Sequence, residues 1–274
     1  MKKIFVIKLG GKFIEQKNSL YSLLQAICVL VNKGYGICVV HGGGKQADVM
    51  QKKLHIPIKK INGKRITDKK TLDITKMIYK GLLNTNLIAM CNAYSIPAVG
   101  ISGVDCMLAM VTKRPVVSVI NYSTGKKNTI DFGYVGDIQK INIEIVKYLQ
   151  NGGYVPIIAC LGTDNKGNIF NINADMLAVQ VALELKAEKL IFVTDTQGVY
   201  KNKDKYISSL AIKDAKNMIS KKEIHSGMIP KIESSESALY GGIKNIQILG
   251  GLTTSKNWLD AIHKQSSGTN IYKI

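Results

Sequence analysis

Apolar residues along this sequence fall into two alternating patterns. Runs of four or five mainly apolar residues, typical of strands buried on both faces of a parallel sheet, lie at residues 4–7, 37–40, 98–101, 155–159, 190–193 and 246–249. Between them, apolar residues recur at the spacing of amphipathic helices, at residues 19–32, 45–54, 71–94, 142–149, 173–185, 230–240 and 258–263. This alternation predicts an α/β fold: a three-layer αβα sandwich with an open, mainly parallel central sheet.

Other segments are predicted to add β structure. Residues 58–67 have the pattern of a hairpin, with Asn62 and Gly63 at its turn. The segments that alternate enough to predict a meander over one end of the sheet are residues 107–111, 116–119 and 129–138. No internal repeat and no linker rich in Pro, Gly or Ser divides the sequence, so residues 1–274 are predicted to form a single domain.

The chain is strongly basic, with a formal net charge of +19 from 38 Lys and Arg against 19 Asp and Glu. Such a charge favours anionic partners and suggests nucleic-acid binding as one interpretation. The basic residues are scattered along the whole chain, however, and aromatic residues are not interleaved with them. We therefore expect a solvated basic surface that attracts anionic substrates, and no nucleic-acid partner.

Cysteine spacing and the length of the apolar runs bear on the compartment. The five cysteines form no Cys-x-x-Cys pair and most have apolar neighbours, which is typical of small core residues in a reducing compartment. The N-terminal apolar run ends at Lys8 and is too short for a signal peptide. No run reaches the roughly 18–20 apolar residues of a membrane span. We expect a cytoplasmic protein that does not contact membranes.

Two of the predicted strands end in glycine turns. Gly10 and Gly11 follow the first strand, and Gly42 to Gly44 follow the second. Without Cβ atoms, such a turn lets an anion lie directly on backbone N–H groups at a helix N-terminus. For either turn alone, a tight connection without a ligand is the alternative. Two such turns after two early strands indicate that two polar groups are brought together beyond the carboxyl ends of the strands.

Two cations follow predicted β segments. Lys8 ends an apolar strand, where an unpaired ammonium group is costly unless it faces a ligand or a carboxylate. Arg65 comes just after the predicted hairpin turn, and a guanidinium group suits bidentate capture of a carboxylate. The alternatives are a strand-end lysine that extends to solvent and an ordinary surface arginine.

Polar residues also mark the starts of two predicted helices. Asn171, Asn173 and Asp175 place two amides and a carboxylate at every second position where the chain enters a helix. Helix capping by Asn173 is the alternative to a binding role, and both can hold together. Lys231 follows Pro230 in the first turn of another helix, where a cation opposes the helix dipole. That cost is tolerable for a lysine that faces a phosphate.

Other common catalytic and nucleotide-binding motifs are absent or incomplete. The sequence has no Gly-x-x-x-x-Gly-Lys-Ser/Thr loop, no Gly-x-Ser-x-Gly and no His-Glu-x-x-His, and its histidines do not occur at metal-ligand spacing. Gly42, Gly44 and Ala47 match the loose dinucleotide-binding fingerprint. The next strand region carries Lys59 and Lys60, however, in place of the acidic residue that would hold a ribose. A nicotinamide-dependent enzyme is therefore not favoured.

Six segments taken together resemble the amino acid kinase family. They are Lys8-Leu9-Gly10-Gly11, His41-Gly42-Gly43-Gly44, Gly63-Lys64-Arg65-Ile66-Thr67, Asn171-Ile172-Asn173-Ala174-Asp175, Thr194-Asp195 with Gly198-Val199, and Gly227-Met228-Ile229-Pro230-Lys231. Each is modest alone, but their order and spacing are those of the family, and the resemblance extends to Gly268 and Thr269. The segment from Tyr134 to Ile138 resembles the branch that acts on N-acetyl-L-glutamate.

This resemblance implies ATP-dependent phosphorylation of the side-chain carboxylate of N-acetyl-L-glutamate, a step of arginine synthesis, with Mg²⁺ entering together with ATP. The residues implied as catalytic are Lys8, Lys231 and Asp175. Those implied to bind the acyl amino acid are Gly43, Gly44, Arg65 and Asn171. Those implied to bind the nucleotide are Gly11, Asp195, Gly198 and Met228. No metal ligand from the protein is implied.

The resemblance also implies an organisation into two lobes and a dimer. Residues 1–172 would form the acyl-amino-acid-binding and dimerisation lobe, and residues 173–274 the ATP-binding lobe. The predicted helix 71–94, from Thr71 to Tyr94, has an apolar stripe wide enough for a homodimer contact. Arginine-inhibited members carry an additional N-terminal helix, and this sequence starts three residues before its first strand, so we expect no arginine feedback. The rival within the family is the kinase that phosphorylates carrier-linked aminoadipate in lysine synthesis, and a catalytically inactive regulatory subunit is a further alternative.

Overall fold

The computed structural model describes residues 2–120, 127–202, 205–224 and 227–273. Its strands are β1 (Ile4–Leu9), β2 (Gly36–His41), β3 (Lys60–Ile61), β4 (Lys64–Arg65), β5 (Ala98–Ser102), β6 (Ala109–Lys113), β7 (Val117–Ile120), β8 (Lys127–Ile130), β9 (Gly136–Ile141), β10 (Val155–Ala159), β11 (Leu161–Thr163), β12 (Ile169–Asn171), β13 (Lys189–Thr194), β14 (Val199–Lys201), β15 (Lys205–Ile207), β16 (Ser209–Ala211), β17 (Asn245–Gly250) and β18 (Thr269–Tyr272).

The helices alternate with these strands along most of the chain. They are α1 (Gly11–Ile14), α2 (Lys17–Asn32), α3 (Gly44–Lys53), α4 (Lys69–Lys76), α5 (Thr85–Ala93), α6 (Glu144–Asn151), α7 (Ala174–Glu184), α8 (Ile212–Ser220), α9 (Ile229–Tyr240) and α10 (Ser255–Lys264). A π-helical segment, Met77–Asn84, joins α4 to α5, and Asp105–Met107 form a single 3₁₀ turn.

The central sheet has eight strands in the order β16-β18-β17-β13-β1-β2-β10-β5. The six adjacent strands from β17 to β5 all run parallel to one another. β18 pairs antiparallel with β17 and parallel with β16. The predicted α/β fold with an open, mainly parallel sheet is confirmed. The two strands that end in glycine turns, β1 and β2, are direct neighbours, so their carboxyl ends meet at one edge.

Alternating side chains of β1 divide the core into two layers. Phe5, Ile7 and Leu9 belong to the layer built with α2 and α10, whereas Val6 belongs to the layer built with α7 and α9. Because successive strand residues point to opposite faces, Lys8 lies on the same face as Val6. The strand therefore directs its one cation towards the first turn of α7.

The hairpin prediction is confirmed. Strands β3 and β4 pair antiparallel around Asn62 and Gly63, whose φ angles of 48° and 76° are those that a type I′ turn requires.

The meander prediction is wrong in its pairing. β6 pairs directly with β9 and also with β11, giving a second sheet in the order β12-β11-β6-β9, while β7 and β8 form a hairpin of their own. The alternation of residues 107–138 identifies strands, but it carries no signal for β11, the non-local neighbour that holds β6 inside the small sheet.

Helix 71–94 is confirmed as one continuous helical run, with two differences. It starts at Lys69, where the Asp68 carboxylate caps it by accepting a hydrogen bond from the Thr71 N–H at 2.9 Å. Its middle, Met77–Asn84, is π-helical, a local widening that apolar spacing does not predict.

Candidate active site

The two glycine turns meet at the carboxyl edge of the sheet, as predicted. A Cβ atom on Gly11 would lie 3.7 Å from the backbone nitrogens of both Gly44 and Lys45. The side chain of Gln46 connects the turns, because its Nε2 donates a hydrogen bond to the carbonyl oxygen of Gly11 at 2.7 Å. Gln46 also donates to the carboxylate of Glu15, which in turn pairs with Lys45.

The N-terminus of α3 is open where the turns meet. Gly43 occupies the capping position without a side chain, so no side-chain oxygen accepts from the first N–H groups of the helix. Within the described residues, the N–H groups of Gly43 and Gly44 donate to no protein acceptor. Unpaired N–H groups at a helix N-terminus bind anions. Gly43 has no space for a larger residue, because a Cβ atom there would lie 2.4 Å from Leu83 and 2.7 Å from Tyr79.

Lys8 and Asp175 form a buried ion pair. Lys8 Nζ lies 2.8 Å from Asp175 Oδ1, and the two residues are only 7% and 8% exposed. Asp175 is held in the first turn of α7, where Asn173 Oδ1 accepts hydrogen bonds from the N–H groups of Asp175 and Met176 at 2.8 and 3.0 Å. Asn173 therefore caps the helix and fixes the carboxylate at the same time.

Lys231 completes a cluster of two ammonium groups around one carboxylate. Burial raises the pKa of Asp175, but the charges of Lys8 and Lys231 outweigh it and hold the pKa below the ordinary value. Burial and the like charge of Lys8 lower the pKa of Lys231, against the opposing effects of Asp175 and Asp195. The predicted catalytic residues from β1, α7 and α9 are thus brought together, with the carboxylate ionised.

The predicted carboxylate-binding residues lie beside α3. Arg65 is buried; its Nη2 donates to the Gly44 carbonyl oxygen at 2.7 Å and to Asp48, and its Nη1 donates to Gln51. Asn171 Nδ2 donates to the hydroxyl group of Thr67, two residues beyond Arg65, at 3.1 Å. The structure therefore places Arg65 against the open helix N-terminus and Asn171 next to the same segment.

Asp48 and Gln51 were not predicted as site residues. They follow Gly44 at the i+4 and i+7 positions of α3, so all three lie on one face of the helix. Polar residues at that spacing behind a glycine turn are a sequence signal that could have identified them.

Asp195 and Gly198, two of the predicted nucleotide-binding residues, lie just beyond the end of β13. Asp195 Oδ2 lies 3.5 Å from Lys12 Nζ, and Asp195 Oδ1 accepts from the Thr194 hydroxyl group at 3.1 Å. Burial raises the pKa of Asp195, but hydrogen bonds from its own N–H and from Thr194, together with Lys12, lower it overall. Met228 caps α9 immediately before the turn that carries Lys231 and is partly buried against the core.

Gly198 is buried in a tight contact with β18. A Cβ atom there would lie 2.6 Å from Thr269 Oγ1 and 3.0 Å from Thr269 N. The close approach of these two segments explains why a glycine stands at this position, independently of any contact with a nucleotide.

His41 and Asn84 form a buried polar pair next to the glycine triplet that sequence reasoning did not identify. Both are at most 3% exposed, and Asn84 Nδ2 lies 3.0 Å from His41 Nε2. Burial lowers the pKa of His41 to about 4, and the charges of Lys80 and Lys8 act in the same direction, so the ring is neutral at pH 7. The two residues are far apart in sequence, and no motif links them.

A cavity of about 860 Å³ lies elsewhere, on the second sheet, where Asp68, Tyr134 and Phe170 are among its lining residues. None of the predicted site residues lines it. Within the described residues, no group of three or more His, Cys, Asp or Glu is arranged to hold a metal ion. The described helices include none with both the length and the apolar character needed to cross a membrane.

Comparison with known proteins shows what the whole chain is similar to. Residues 3–250 match the model of the amino acid kinase family. An acetylglutamate kinase of Clostridium acetobutylicum is 39% identical over 91% of this chain and 83% of its own length, and one of Hydrogenobaculum sp. is 37% identical over 98% and 91%. The structure of N-acetylglutamate synthase from Neisseria gonorrhoeae, complexed with coenzyme A and N-acetyl-glutamate, superimposes with a TM-score of 0.82 at 23% identity. The match covers 99% of this chain and 60% of that longer one, and it shows a shared fold.

Proposed function

Since this chain belongs to the amino acid kinase family, we propose that it transfers the γ-phosphoryl group of ATP to the side-chain carboxylate of N-acetyl-L-glutamate. The observation that carries the reaction type is the cluster of Lys8, Asp175 and Lys231 beside two open glycine turns. The choice of acceptor is supported by relatives that are named acetylglutamate kinase and match nearly the whole chain.

The arrangement suits phosphoryl transfer between two oxyanions. The acceptor carboxylate is already ionised at pH 7, so its oxygen can attack the γ-phosphorus without a general base while the bond from that phosphorus to the ADP oxygen breaks. Catalysis then depends on in-line placement and on neutralising charge. In our proposal Lys8 and Lys231 stabilise the transferring phosphoryl group, and Asp175 holds both ammonium groups in place.

The acceptor is bound by groups at the start of α3. The free N–H groups of Gly43 and Gly44 contact the reacting carboxylate and phosphoryl oxygens, in the manner of an oxyanion site. Arg65 and Asn171 hold the α-carboxylate of the substrate. Because the guanidinium group of Arg65 already pairs with Asp48, substrate binding requires Arg65 to share or exchange that partner.

The nucleotide is bound from the β13 side. Gly11 lies against the phosphates, and Asp195, Gly198 and Met228 line the nucleotide site. Mg²⁺ would enter together with ATP and would need no all-protein site, since this cation is usually bound through substrate phosphates and water. When bound, it would further neutralise the phosphate charge. We expect the enzyme in the cytoplasm, where ATP is available and buried thiols such as Cys38 and Cys160 stay reduced.

The lobes and the dimer predicted from the sequence remain part of this proposal. Residues 1–172 supply the glycine triplet and Arg65, and residues 173–274 supply Asp195 and Lys231. On the helical run from Lys69 to Ala93, Met77 and Leu82 are 56% and 48% exposed. Large apolar side chains that remain exposed on a helix support its use as the contact of a homodimer.

A coupled assay of ADP release with several acceptors tests the function. We expect turnover with N-acetyl-L-glutamate, and little with glutamate, aspartate, carbamate, UMP or a carrier-linked aminoadipate. Activity with a different acceptor alone would overturn the choice of substrate. The named relatives do not favour the aminoadipate, inactive-subunit or nucleic-acid interpretations.

A further inference from the structure

A series of hydrogen bonds through Asn84 and His41 links the glycine triplet to the protein core. Asn84 Nδ2 lies 2.9 Å from the carbonyl oxygen of Ile157 and 3.0 Å from His41 Nε2. At the other side of the ring, His41 Nδ1 lies 2.9 Å from the carbonyl oxygen of Gly42. These hydrogen bonds therefore connect the end of the π-helical segment, through the last residue of β2, to the first glycine.

The chemistry of these partners fixes the position of the histidine proton. A carbonyl oxygen only accepts hydrogen bonds, so the contact with Ile157 identifies the Asn84 atom as its NH₂ donor. The same NH₂ group donates to His41 Nε2, which must then be the unprotonated nitrogen. The single proton of the neutral ring lies on Nδ1 and is donated to the Gly42 carbonyl oxygen.

That last hydrogen bond sets the direction of a catalytically important peptide group. The Gly42 carbonyl and the Gly43 N–H belong to one planar trans peptide unit, so they point in opposite directions. When His41 holds the carbonyl oxygen, the Gly43 N–H is directed away from His41. Because Gly42 and Gly43 have no side chains to restrict the backbone, this peptide would otherwise rotate more freely than one between larger residues.

Asn84 is itself confined by neighbouring elements. The π-helical segment that ends with it also provides Tyr79 and Leu83, which fill the space beneath Gly43. A Cβ atom on Gly100 would lie 2.0 Å from Asn84 Oδ1, so the amide packs directly against the backbone of the neighbouring strand and needs a glycine there. π-helical turns are often found at functional sites, and here the turn determines where the amide lies.

We propose that Asn84 is a positioning residue for phosphoryl transfer: it holds His41 in the Nδ1–H tautomer, and His41 in turn aims the Gly43 N–H at the reacting oxygens. This inference rests on the proposed function for the identity of those oxygens. The tautomer and the direction of the peptide group follow from the contacts alone.

The first experiment reads the tautomer in the unaltered protein. Nitrogen-15 labelling of histidine, with His41→Gln to assign the signal, distinguishes Nδ1–H from Nε2–H by chemical shift and long-range coupling. We expect His41 to be neutral at pH 7 with its proton on Nδ1. A proton on Nε2 would overturn the proposal, whatever the protein is found to catalyse.

The second experiment measures the effect on turnover. Asn84→Ala should lower kcat by roughly 10- to 100-fold, since slight misplacement of a catalytic group has effects of that size, and it should leave KM for ATP within about threefold. The same variant should convert His41 to a mixture of tautomers. Asn84→Asp keeps the shape of the side chain but replaces the donor by an acceptor, so we expect a predominantly Nε2–H ring and at least as large a loss of kcat.

Thr75→Val is the matched control. Thr75 is fully buried in the same helical run, and its hydroxyl group donates to the Leu72 carbonyl oxygen within that run. We expect it to lower thermal stability while leaving kcat and the His41 signal unchanged. A folded Asn84→Ala protein with kcat within twofold of the parent would refute the positioning role. If no acceptor supports turnover in the parent, the proposed function fails, and the tautomer measurement still decides the hydrogen-bond chain.

Discussion

Lys8 and Asp175 form an ion pair from which nearly all water is excluded. In such a pair, loss of one partner leaves a buried charge without compensation, which typically costs about 3–5 kcal/mol. Lys231 differs because it is only partly buried and shares Asp175 with Lys8. The effects of these residues on stability and on catalysis should therefore be separable.

We predict that Lys8→Ala, Asp175→Ala and Lys231→Ala each lower kcat by roughly 10²- to 10³-fold and change KM for either substrate much less, because their charges act mainly on the transferring phosphoryl group. Steady-state kinetics measure this effect, and thermal unfolding should show the smallest loss of stability for Lys231→Ala. Lys3→Ala, which removes an exposed lysine paired with Glu188, serves as control and should retain parental kinetics. Near-parental kcat in any of the three would remove that residue from the mechanism.

His41 gives the stability of the protein a specific pH dependence. Its pKa is about 4 in the folded state and about 6.5 when the chain is unfolded, so the unfolded state binds the proton more readily. The contribution of the neutral ring is fully present above pH 6.5 and is lost as the pH falls from 6.5 to 4.

We predict that the free energy of unfolding falls over that interval by about 3 kcal/mol from this residue alone. Urea titrations at pH 7.0, 6.0 and 5.0 should record about 2 kcal/mol of that fall, and they avoid the lower pH at which most carboxylates protonate. His41→Gln should flatten the dependence. His263→Gln is the control because that ring, whose pKa is lowered mainly by burial and then by nearby lysines, is far less buried than His41. An equally steep profile in His41→Gln would contradict the prediction.

The chemistry of individual residues was more predictable than their partners. A lysine at the end of an apolar strand needs a ligand or a counter-charge, and the family resemblance, not the spacing of the residues, named Asp175 as part of the same site. Pairing of His41 with Asn84 could not be foreseen, because it depends on a π-helical turn that carries Asn84 to the end of β2. The contacts of Arg65 with Asp48 lie between these cases, since helical spacing alone places Asp48 one turn after Gly44.

Long, strongly patterned elements were predicted, and most short ones were not, except the hairpin of β3 and β4, which its Asn-Gly turn identified. The parallel strands and their helices follow from apolar spacing, whereas β11, β12, β14, β15, β16 and β18 have only three or four residues each, too few for alternation to be recognised. The helix α8 was missed although its sequence carries a signal: Ile212, Ala215 and Ile219 follow helical spacing, so this helix could have been predicted. The π-helical segment leaves no trace in apolar spacing.

The close contact between this segment and β5 leads to a prediction for Gly100. We expect Gly100→Ala to destabilise the protein by about 1–3 kcal/mol and to lower kcat, since the added methyl group would displace Asn84. Gly81→Ala is the control within the π-helical segment: nothing lies within 4 Å of a Cβ atom there, and alanine favours helices by up to about 1 kcal/mol. Thermal unfolding and kinetics of both variants test this. Equal stabilities would show that Asn84 is not confined by β5.

At the scale of the whole molecule, the two halves of the chain share one sheet. β1 lies between β2 of the first half and β13 of the second, so a single continuous layer carries both proposed lobes. The sequence predicted this shared sheet from its uninterrupted alternation. The order of the strands could not be predicted, because it depends on contacts between segments that are far apart along the chain.

We predict that the protein is a homodimer and that replacing Met77 and Leu82 together by Asp makes it monomeric, because both exposed apolar side chains would lie in the contact. Sedimentation velocity measures the change in mass. Tyr148→Asp, at a side chain that is 75% exposed on α6, is the control and should leave the parental mass unchanged. A parent that sediments as a monomer would contradict the dimer.

The central position of β1 has a consequence for how the molecule is made. Its first neighbour, β2, is synthesised soon after it, but Phe5 pairs on the other side with Lys189, so one edge of β1 stays open until the ribosome has added most of the chain. Pairings between such distant segments form slowly. Renaturation should therefore show early helix formation and a late recovery of enzymatic activity, because the sheet edge that carries Lys8 is complete only after β1 has paired with β13.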